Sequence, residues 1–243
     1  MKTPSAILFD LGDTLFEVRL DIQKGRERLY SLTRQAGMID PHLARTAEET
    51  LGQASQQVRI AANYEIPCEA FHRNLFDLLG LTSDLTWEEL DLEFFKASHF
   101  FRLEDGVLEA LQLLKAQGIR MGIISNSFHI GRTLEWMCHQ GGIMGCFEFL
   151  MSSADYGFRK PHPQIFETAV ARLGLPREEV WFIGDRLEFD IIGAKDAGLT
   201  AVWYNADGAP DGEIKPDLTI SGWRGFMTAP FWGVGFRDAA QFN

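Results

Sequence analysis

The sequence has few cysteines and no long hydrophobic run, and both absences limit what the protein can be. Its three cysteines, Cys68, Cys138 and Cys146, show neither CxxC spacing nor an even count, which argues against structural disulfides and a thiolate zinc site. No segment approaches the roughly 20 consecutive apolar residues that a membrane-spanning helix needs, so no membrane partner is predicted. The apolar run before the first acid is too short for the core of a secretory signal. These features predict a cytoplasmic protein.

Basic residues are also fewer than acidic residues. Lys and Arg number 23 against 34 Asp and Glu, which gives a formal net charge of −11. Such a surface repels phosphate polymers at long range, so a nucleic-acid partner is not predicted. A small phosphorylated metabolite is not excluded, because a local cation or metal ion can reverse the sign of the field inside one cleft.

Short apolar runs rich in β-formers recur along the chain and alternate with helical patterns. The predicted strands are 6–10, 119–125, 147–151, 180–185, 200–204 and a weaker 217–220. The helical patterns cover 106–118, 162–174 and 190–198, and each ends on glycine. Strands that are apolar throughout and alternate with helices are typical of a parallel sheet covered on both faces. The predicted fold class is therefore α/β, with a Rossmann-like core.

The stretch between the first two strands differs from the rest. Residues 17–100 show only helical patterns, separated by Gly and Pro breaks. A connection of that length predicts an inserted all-helical cap over a core formed by 1–16 and 101–225. The remaining 226–243 form an aromatic, Gly-rich tail that can pack on the core or on a partner subunit, so both a monomer and a homodimer stay open.

Polar side chains follow the predicted strands at the point where each strand ends. Asp10 closes the first strand, Ser125 and Asn126 follow the second, and Asp185 follows the fourth, while Lys160 lies on the loop after the third. Taken singly, each has an ordinary explanation as a helix cap, a turn or a surface lysine. Because the carboxyl ends of parallel strands face one crevice, the set together predicts a functional site.

Four motifs carry a family resemblance. They are FDLGDTL (9–15), IISNS (123–127), KPHPQIF (160–166) and GDRLEFDIIGAKDAG (184–198). In this order the chain resembles the haloacid dehalogenase-like hydrolases, in the subfamily with a helical cap inserted after the first motif. The resemblance covers residues 5–204 and implies a Mg²⁺-dependent hydrolase that acts on a small phosphorylated metabolite through a phosphoaspartyl intermediate.

The resemblance also assigns roles to residues. It implies that Asp10 is the nucleophile, that Thr14 hydrogen-bonds beside it, and that Ser125, Asn126 and Lys160 bind the phosphoryl group, with Ser125 and Lys160 also catalytic. It implies that Mg²⁺ is held by Asp10, the backbone carbonyl of Gly12, Asp185 and Asp190.

One departure from the family pattern puts the proton transfer in doubt. Family phosphatases usually read Asp-x-Asp-Gly-Thr, and their second Asp is the general acid, whereas this chain reads Asp10-Leu11-Gly12-Asp13-Thr14. General acid–base catalysis contributes typically ~10²–10⁴-fold. Asp13 either compensates from the next position or is a turn residue that tolerates an unusual backbone angle.

Two other functions therefore stay open. A metal-free 2-haloacid dehalogenase needs no proton for its halide, although dehalogenases resembling this chain lack the acidic motif that is intact here. The second is a catalytically weakened phosphate-binding protein. Candidate substrate contacts from the cap are Arg19, Arg59, Asn63 and His72, and Phe128 and His129 are candidates for the site entrance.

Overall fold

The computed structural model describes residues 2–210, 212–230 and 232. Its core is a six-stranded parallel sheet in the order β5-β4-β1-β6-β7-β8. The strands are β1 (Ala6–Phe9), β4 (Arg120–Ser125), β5 (Phe149–Ser152), β6 (Val180–Gly184), β7 (Thr200–Tyr204) and β8 (Leu218–Ile220). The helices of the core are α5 (Val107–Ala116), α6 (Gly131–Gln140), α7 (Ser153–Tyr156), α8 (Pro163–Leu173), α9 (Ile192–Asp196) and α10 (Trp223–Thr228). The predicted Rossmann-like α/β core is confirmed.

The central strand β1 is buried on both faces, which explains why its sequence is apolar without alternation. Ile7 and Phe9 belong to the hydrophobic cluster that includes residues of α5, α6 and α10. Ala6 and Leu8 belong to a second cluster, which includes residues of α8 and α9. Helices therefore cover both faces of the sheet, and its polar chemistry is confined to the strand ends.

The inserted segment forms a helical cap with its own small core. Its helices are α1 (Ile22–Ser31), α2 (Pro41–Ala62), α3 (Cys68–Leu79) and α4 (Trp87–Ser98). A Cβ atom at Gly25 of α1 would lie 2.8 Å from the Phe94 ring of α4, so glycine permits the close packing of these two helices. Among the described residues, no helix is both long enough and apolar enough to cross a lipid bilayer.

The prediction that 17–100 contains only helices is wrong at both ends. Strands β2 (Phe16–Leu20) and β3 (His99–Leu103) pair antiparallel, with Phe16 opposite Leu103 and Leu20 opposite His99. Both runs are short and half exposed, so their hydrophobic pattern is weaker than that of the buried core strands. This two-stranded ribbon is the covalent connection between cap and core.

Backbone hydrogen bonds also join the cap to the loops of the core. The N–H of Glu65 donates to the carbonyl of Gly157 at 2.7 Å, and the N–H of Arg159 donates to the carbonyl of Asn63 at 3.0 Å. The N–H of Cys68 donates to the carbonyl of Phe128 at 2.6 Å. The cap therefore rests on the two core loops that carry Lys160 and Asn126.

The predicted start of the tail, residue 226, falls inside helix α10, and the described part of the tail packs on the core, which is one of the two placements left open above. Phe226 lies in α10 and is buried together with Trp232. The indole N–H of Trp223, in the same helix, donates to the carbonyl of Thr14 at 3.1 Å, which ties α10 to the turn after β1. The remainder of the predicted tail, 231 and 233–243, lies outside the described residues.

His72 makes the stability of the cap depend on pH. Its side chain is buried in the cap, and burial lowers its pKa to about 4. The unfolded chain takes up this proton near pH 6.5 and the folded chain does not, so the free energy of unfolding falls as the pH drops from 6.5 to 4. The expected loss from this residue is about 3 kcal/mol.

Urea unfolding between pH 7.5 and 4 measures this effect. The variant His72→Gln cannot titrate, and its free energy of unfolding is expected to fall less steeply with decreasing pH than that of wild type. Equal slopes in the two proteins would contradict the assignment to His72.

Candidate active site

Asp10, Lys160 and Asp190 form a buried charge cluster at the carboxyl edge of the sheet. Phe9 is in register with Ile123 of β4 and Ile183 of β6, so Asp10 leaves the sheet within one residue of the ends of both neighbours. The Nζ atom of Lys160 lies 2.5 Å from Asp10 Oδ1 and 2.7 Å from Asp190 Oδ1. Burial opposes the lysine charge, but Asp10 and Asp190 raise the pKa of Lys160 overall.

A third carboxylate leaves this cluster with excess negative charge. Oxygens of Asp10, Asp185 and Asp190 all lie within 4.8 Å of one another. Burial and then the charge of Asp10 raise the pKa of Asp185 to about 8. Burial also raises the pKa of Asp190, to about 6, although Lys160 opposes this. Carboxylate oxygens are the ligands that Mg²⁺ prefers, so this donor set fits a divalent cation.

Asn126 fixes the loop that delivers Lys160. Its Oδ1 accepts the backbone N–H of Lys160 at 2.7 Å, and its Nδ2 donates to the carbonyl of the same residue at 2.8 Å. Asn126 therefore acts on the main chain of the loop. Ser125, at the end of β4, is buried and lines the same cavity as Asp10.

Thr14 lies between two of the carboxylates. Its hydroxyl is 3.4 Å from Asp10 Oδ2 and also 3.4 Å from Asp185 Oδ1. Asp190 lies in a π-helical turn, Leu187–Ile191, and accepts the backbone N–H of Arg186 at 3.0 Å. The structure thus brings together the predicted residues Asp10, Gly12, Thr14, Ser125, Asn126, Lys160, Asp185 and Asp190; their roles stay predictions.

Asp13 has the geometry of a turn residue. Its φ is +56°, in the left-handed region that Asp and Asn tolerate best after Gly. Its Oδ1 accepts the backbone N–H of Val18 at 3.3 Å, and its own N–H donates to the carbonyl of Phe16. The side chain therefore bonds to the middle of β2, while the residue also lines the cavity that contains Asp10. At Gly12, by contrast, an added Cβ would meet only Val18 Cγ2, at 3.8 Å, so space does not demand glycine there.

Replacing Asp13 with Asn is expected to change phosphate release from p-nitrophenyl phosphate by no more than about twofold. Asn also tolerates positive φ, and its amide oxygen can still accept the Val18 N–H. In Asp13→Val, the β-branched side chain opposes this backbone angle and is expected to cost about 1–2 kcal/mol of folding stability. A loss of activity in Asp13→Asn as large as in Asp10→Asn would show that the carboxylate serves the chemistry.

The cavity above Asp10 has a volume of about 380 Å³ and is lined by core and cap together. Of the candidate cap residues, Arg59 lines it, whereas Asn63 ends α2 and His72 is buried within the cap. Arg19 is exposed and pairs with Glu17.

Glu65 and Arg159 also line the cavity and were not predicted from the sequence. The Glu65 carboxylate lies 2.7 Å from Arg59 and 3.2 Å from Arg159. Nothing local in the sequence marks Glu65 as buried, because its partners come from α2 and from the loop before Lys160.

Asp91 is a further polar residue that sequence reasoning missed. It lies on α4 of the cap, is 1% exposed, and its Oδ1 is 2.7 Å from His129 Nδ1 in the core. Burial alone would raise its pKa, but the hydrogen bond and charge of His129 hold the pKa of Asp91 below its usual value. The sequence did indicate that Asp91 is buried, because Leu90, Phe94 and Phe95 place it on the apolar stripe of the helix.

Comparison with known proteins decides the family. A model of the haloacid dehalogenase-like hydrolases matches residues 4–198. The chain belongs to the haloacid dehalogenase-like hydrolases. The predicted family and the prediction of a hydrolase are thereby confirmed.

Individual relatives of this hydrolase have different named activities. Glyceraldehyde 3-phosphate phosphatase of Methanothermobacter thermautotrophicus is 27% identical over 207 residues, which cover 83% of this chain and 86% of that protein. Haloacetate dehalogenase H-2 of Moraxella sp. is 33% identical over 113 residues, 46% of this chain and 49% of that one. The structure of 2-haloacid dehalogenase from Pseudomonas syringae pv. Tomato superposes with a TM-score of 0.67 at 25% identity, covering 91% and 95%.

Proposed function

We propose that this hydrolase is a Mg²⁺-dependent phosphatase of a small phosphorylated metabolite, with Asp10 as the nucleophile. The observation that carries the proposal is the cluster of three carboxylates, two of which contact the ammonium of Lys160. The similarity to glyceraldehyde 3-phosphate phosphatase supports it. The cavity of about 380 Å³ suits a small substrate.

Each residue of the cluster has a distinct task in this proposal. Asp10 attacks phosphorus and becomes the acyl phosphate, which water then hydrolyses. Lys160 neutralises part of the phosphoryl charge, and Ser125 donates a hydrogen bond to a phosphoryl oxygen. Asn126 and Thr14 keep Lys160 and Asp10 in place. Asp10, Asp185, Asp190 and the Gly12 carbonyl would hold Mg²⁺, which supplies positive charge against the repulsion between the nucleophile and the phosphate.

The same cluster favours a phosphatase over a dehalogenase. A haloacid carries a carboxylate of its own, and such a substrate would have to approach the nucleophile beside two further acidic groups, Asp185 and Asp190, whose pKa values are raised by burial and by the neighbouring carboxylates. Displacement of a halide needs neither a metal ion nor the two additional acids. A phosphate monoester, which binds together with a divalent cation, gives these two carboxylates a function.

Phosphate release from p-nitrophenyl phosphate, in Mg²⁺ and in EDTA, tests the proposal. The leaving group of this substrate needs little protonation, so the test does not depend on the acid missing at position 12. We expect turnover in Mg²⁺ and its loss in EDTA. Chloride release from 2-chloropropionate in EDTA, with no phosphate release, would favour the dehalogenase. Neither activity, with phosphate still bound, would favour a binding protein.

A further inference from the structure

Two arginines in the wall of the cavity share one buried carboxylate. That carboxylate belongs to Glu65, whose side chain is 1% exposed. Its Oε1 accepts the Nε–H of Arg59 at 2.7 Å, and its Oε2 lies 3.2 Å from Nη1 of Arg159. The hydroxyl of Ser153 also donates to Oε2, at 3.0 Å. Glu65 therefore holds one edge of each guanidinium in place.

The rest of each guanidinium is available to a ligand. Both Arg59 and Arg159 line the cavity above Asp10, and their side chains are 31% and 18% exposed. Within the part of the chain that the structure describes, Glu65 is the one acidic partner of either arginine. A guanidinium has five N–H donors in a fixed fork, so most donors of this pair remain unused.

The charges of this group do not cancel. Two guanidiniums face one carboxylate, which leaves one positive charge in excess. Burial lowers the pKa of Arg159 and the charge of Arg59 adds to this, although Glu65 opposes it; an arginine nevertheless stays protonated in a protein. The third arginine that lines the cavity, Arg186, is exposed and lies 3.9 Å from Glu188.

This positive group adjoins the charge cluster of the nucleophile. Arg159 directly precedes Lys160, and their side chains contact different carboxylates, those of Glu65 and Asp10. One cavity of about 380 Å³ is lined by all four residues. A small molecule can therefore contact both groups at once, with its phosphate at Asp10 and its other end at the arginines.

We infer that Arg59 and Arg159, held by Glu65, bind a carboxylate at the end of the substrate away from phosphorus. The substrate class is then the phosphate monoesters of small hydroxy acids. The inference rests on the proposed function, because it is the phosphate that occupies the site at Asp10.

The excess charge favours a carboxylate over the other groups that a metabolite offers. A carboxylate carries one negative charge, which equals the excess, and its two oxygens match the fork of a guanidinium. A second phosphate carries about −1.5 to −2 at pH 7 and would exceed it. An uncharged end, such as a hydroxyl, would leave the positive charge without a counter-charge.

The test uses pairs of substrates that share a carbon chain and differ in the carboxylate. They are phosphoglycolate with ethyl phosphate, and 3-phosphoglycerate with glycerol 3-phosphate. In Mg²⁺, wild type is expected to have a kcat/KM at least about tenfold higher for the carboxylate member of one pair or both. Equal values within both pairs, or higher values for the uncharged members, would overturn the inference.

Replacing Arg59 with Met removes the charge and keeps much of the side-chain stem. The ratio of kcat/KM between the members of the preferred pair is expected to fall about 10–100-fold, mainly through KM of the carboxylate substrate, because the lost contact is remote from the reacting bond. Arg59→Lys is expected to recover part of the ratio, since it restores the charge but not the fork. Arg159→Met is expected to lower the ratio as well.

The matched control is Arg45→Met on the same helix. Arg45 is exposed and pairs with Glu49 at 2.8 Å, outside the cavity. This variant is expected to keep the wild-type ratio. If Arg59 only held the cap on the core, Arg59→Met would lower kcat/KM equally for both members of a pair, and that result would overturn the inference.

Two further substrates separate the remaining outcomes in wild type, even if the variants do not fold. A higher kcat/KM for 1,3-propanediol bisphosphate than for both carboxylates would assign the arginines to a second phosphate and overturn the inference. Hydrolysis of p-nitrophenyl phosphate without preference in either pair would overturn this inference and leave the proposed function standing. If wild type hydrolyses none of these esters, the proposed function itself fails, and this inference falls with it.

Discussion

Replacing Asp10 with Asn is expected to lower the rate of phosphate release from p-nitrophenyl phosphate by at least about 10³-fold. The amide has no negative charge to attack phosphorus and cannot form an acyl phosphate. The side chain keeps its size, and Lys160 keeps its ion pair with Asp190 at 2.7 Å. The variant is therefore expected to fold, so the loss reports chemistry.

The matched comparison is Asp13→Asn, which removes a carboxylate three positions along the same loop. Both proteins are assayed in Mg²⁺ at equal folded fraction, judged by thermal unfolding. Residual activity in Asp10→Asn close to that of Asp13→Asn would show that Asp10 is not the nucleophile.

Replacing Lys160 with Met is expected to have the largest effect on stability, about 3–5 kcal/mol, because it leaves buried carboxylates without their cation. The Nζ atom lies between Asp10 and Asp190, and the residue is 1% exposed. Met keeps the unbranched stem, so the change removes mainly the charge. Phosphatase activity is expected to fall with it, since the same ammonium faces the phosphoryl group in the proposed mechanism.

Magnesium distinguishes this electrostatic effect from a packing defect. A cation that binds only the folded state stabilises it by mass action, and the carboxylate cluster attracts the cation more strongly once the ammonium is gone. Urea unfolding with and without Mg²⁺ should therefore show a larger gain in Lys160→Met than in wild type. An equal gain in both proteins would contradict this account.

A surface lysine provides the control for Lys160→Met. Lys195 pairs with Asp217 at 3.1 Å, and both side chains are more than a third exposed. Lys195→Met is expected to change the free energy of unfolding by no more than about 1 kcal/mol, because solvent screens such pairs. Its response to Mg²⁺ should match that of wild type.

The core of the site was predictable because strand ends leave a clear pattern in the sequence. Four apolar residues run into Asp10, and similar runs precede Ser125 and Asp185. Parallel pairing then brings these ends to one edge whatever the loops do. Lys160 was predicted through its motif, but its contact with Asp10 and Asp190 depends on Asn126 holding the backbone of its loop.

The cap side of the site was not predictable in the same way. Glu65 and Asp91 are buried by partners distant in sequence, Arg159 and His129 respectively. Strands β2 and β3 were missed because neither is apolar throughout, and each exists only through pairing with the other. That Asp13 adopts the turn conformation depends on a backbone angle, +56°, which residue identity alone allows but does not impose.

The most direct test of the central claim is chemical trapping of the enzyme during turnover. Wild type is mixed with p-nitrophenyl phosphate and Mg²⁺, quenched in acid and treated with sodium borohydride, which reduces an aspartyl phosphate to homoserine. Mass spectrometry of the N-terminal peptides then locates the change. The account predicts homoserine at position 10, absent without substrate and absent in Asp10→Asn. Turnover with Asp10 unmodified, or with the phosphoryl group on another residue, would contradict it.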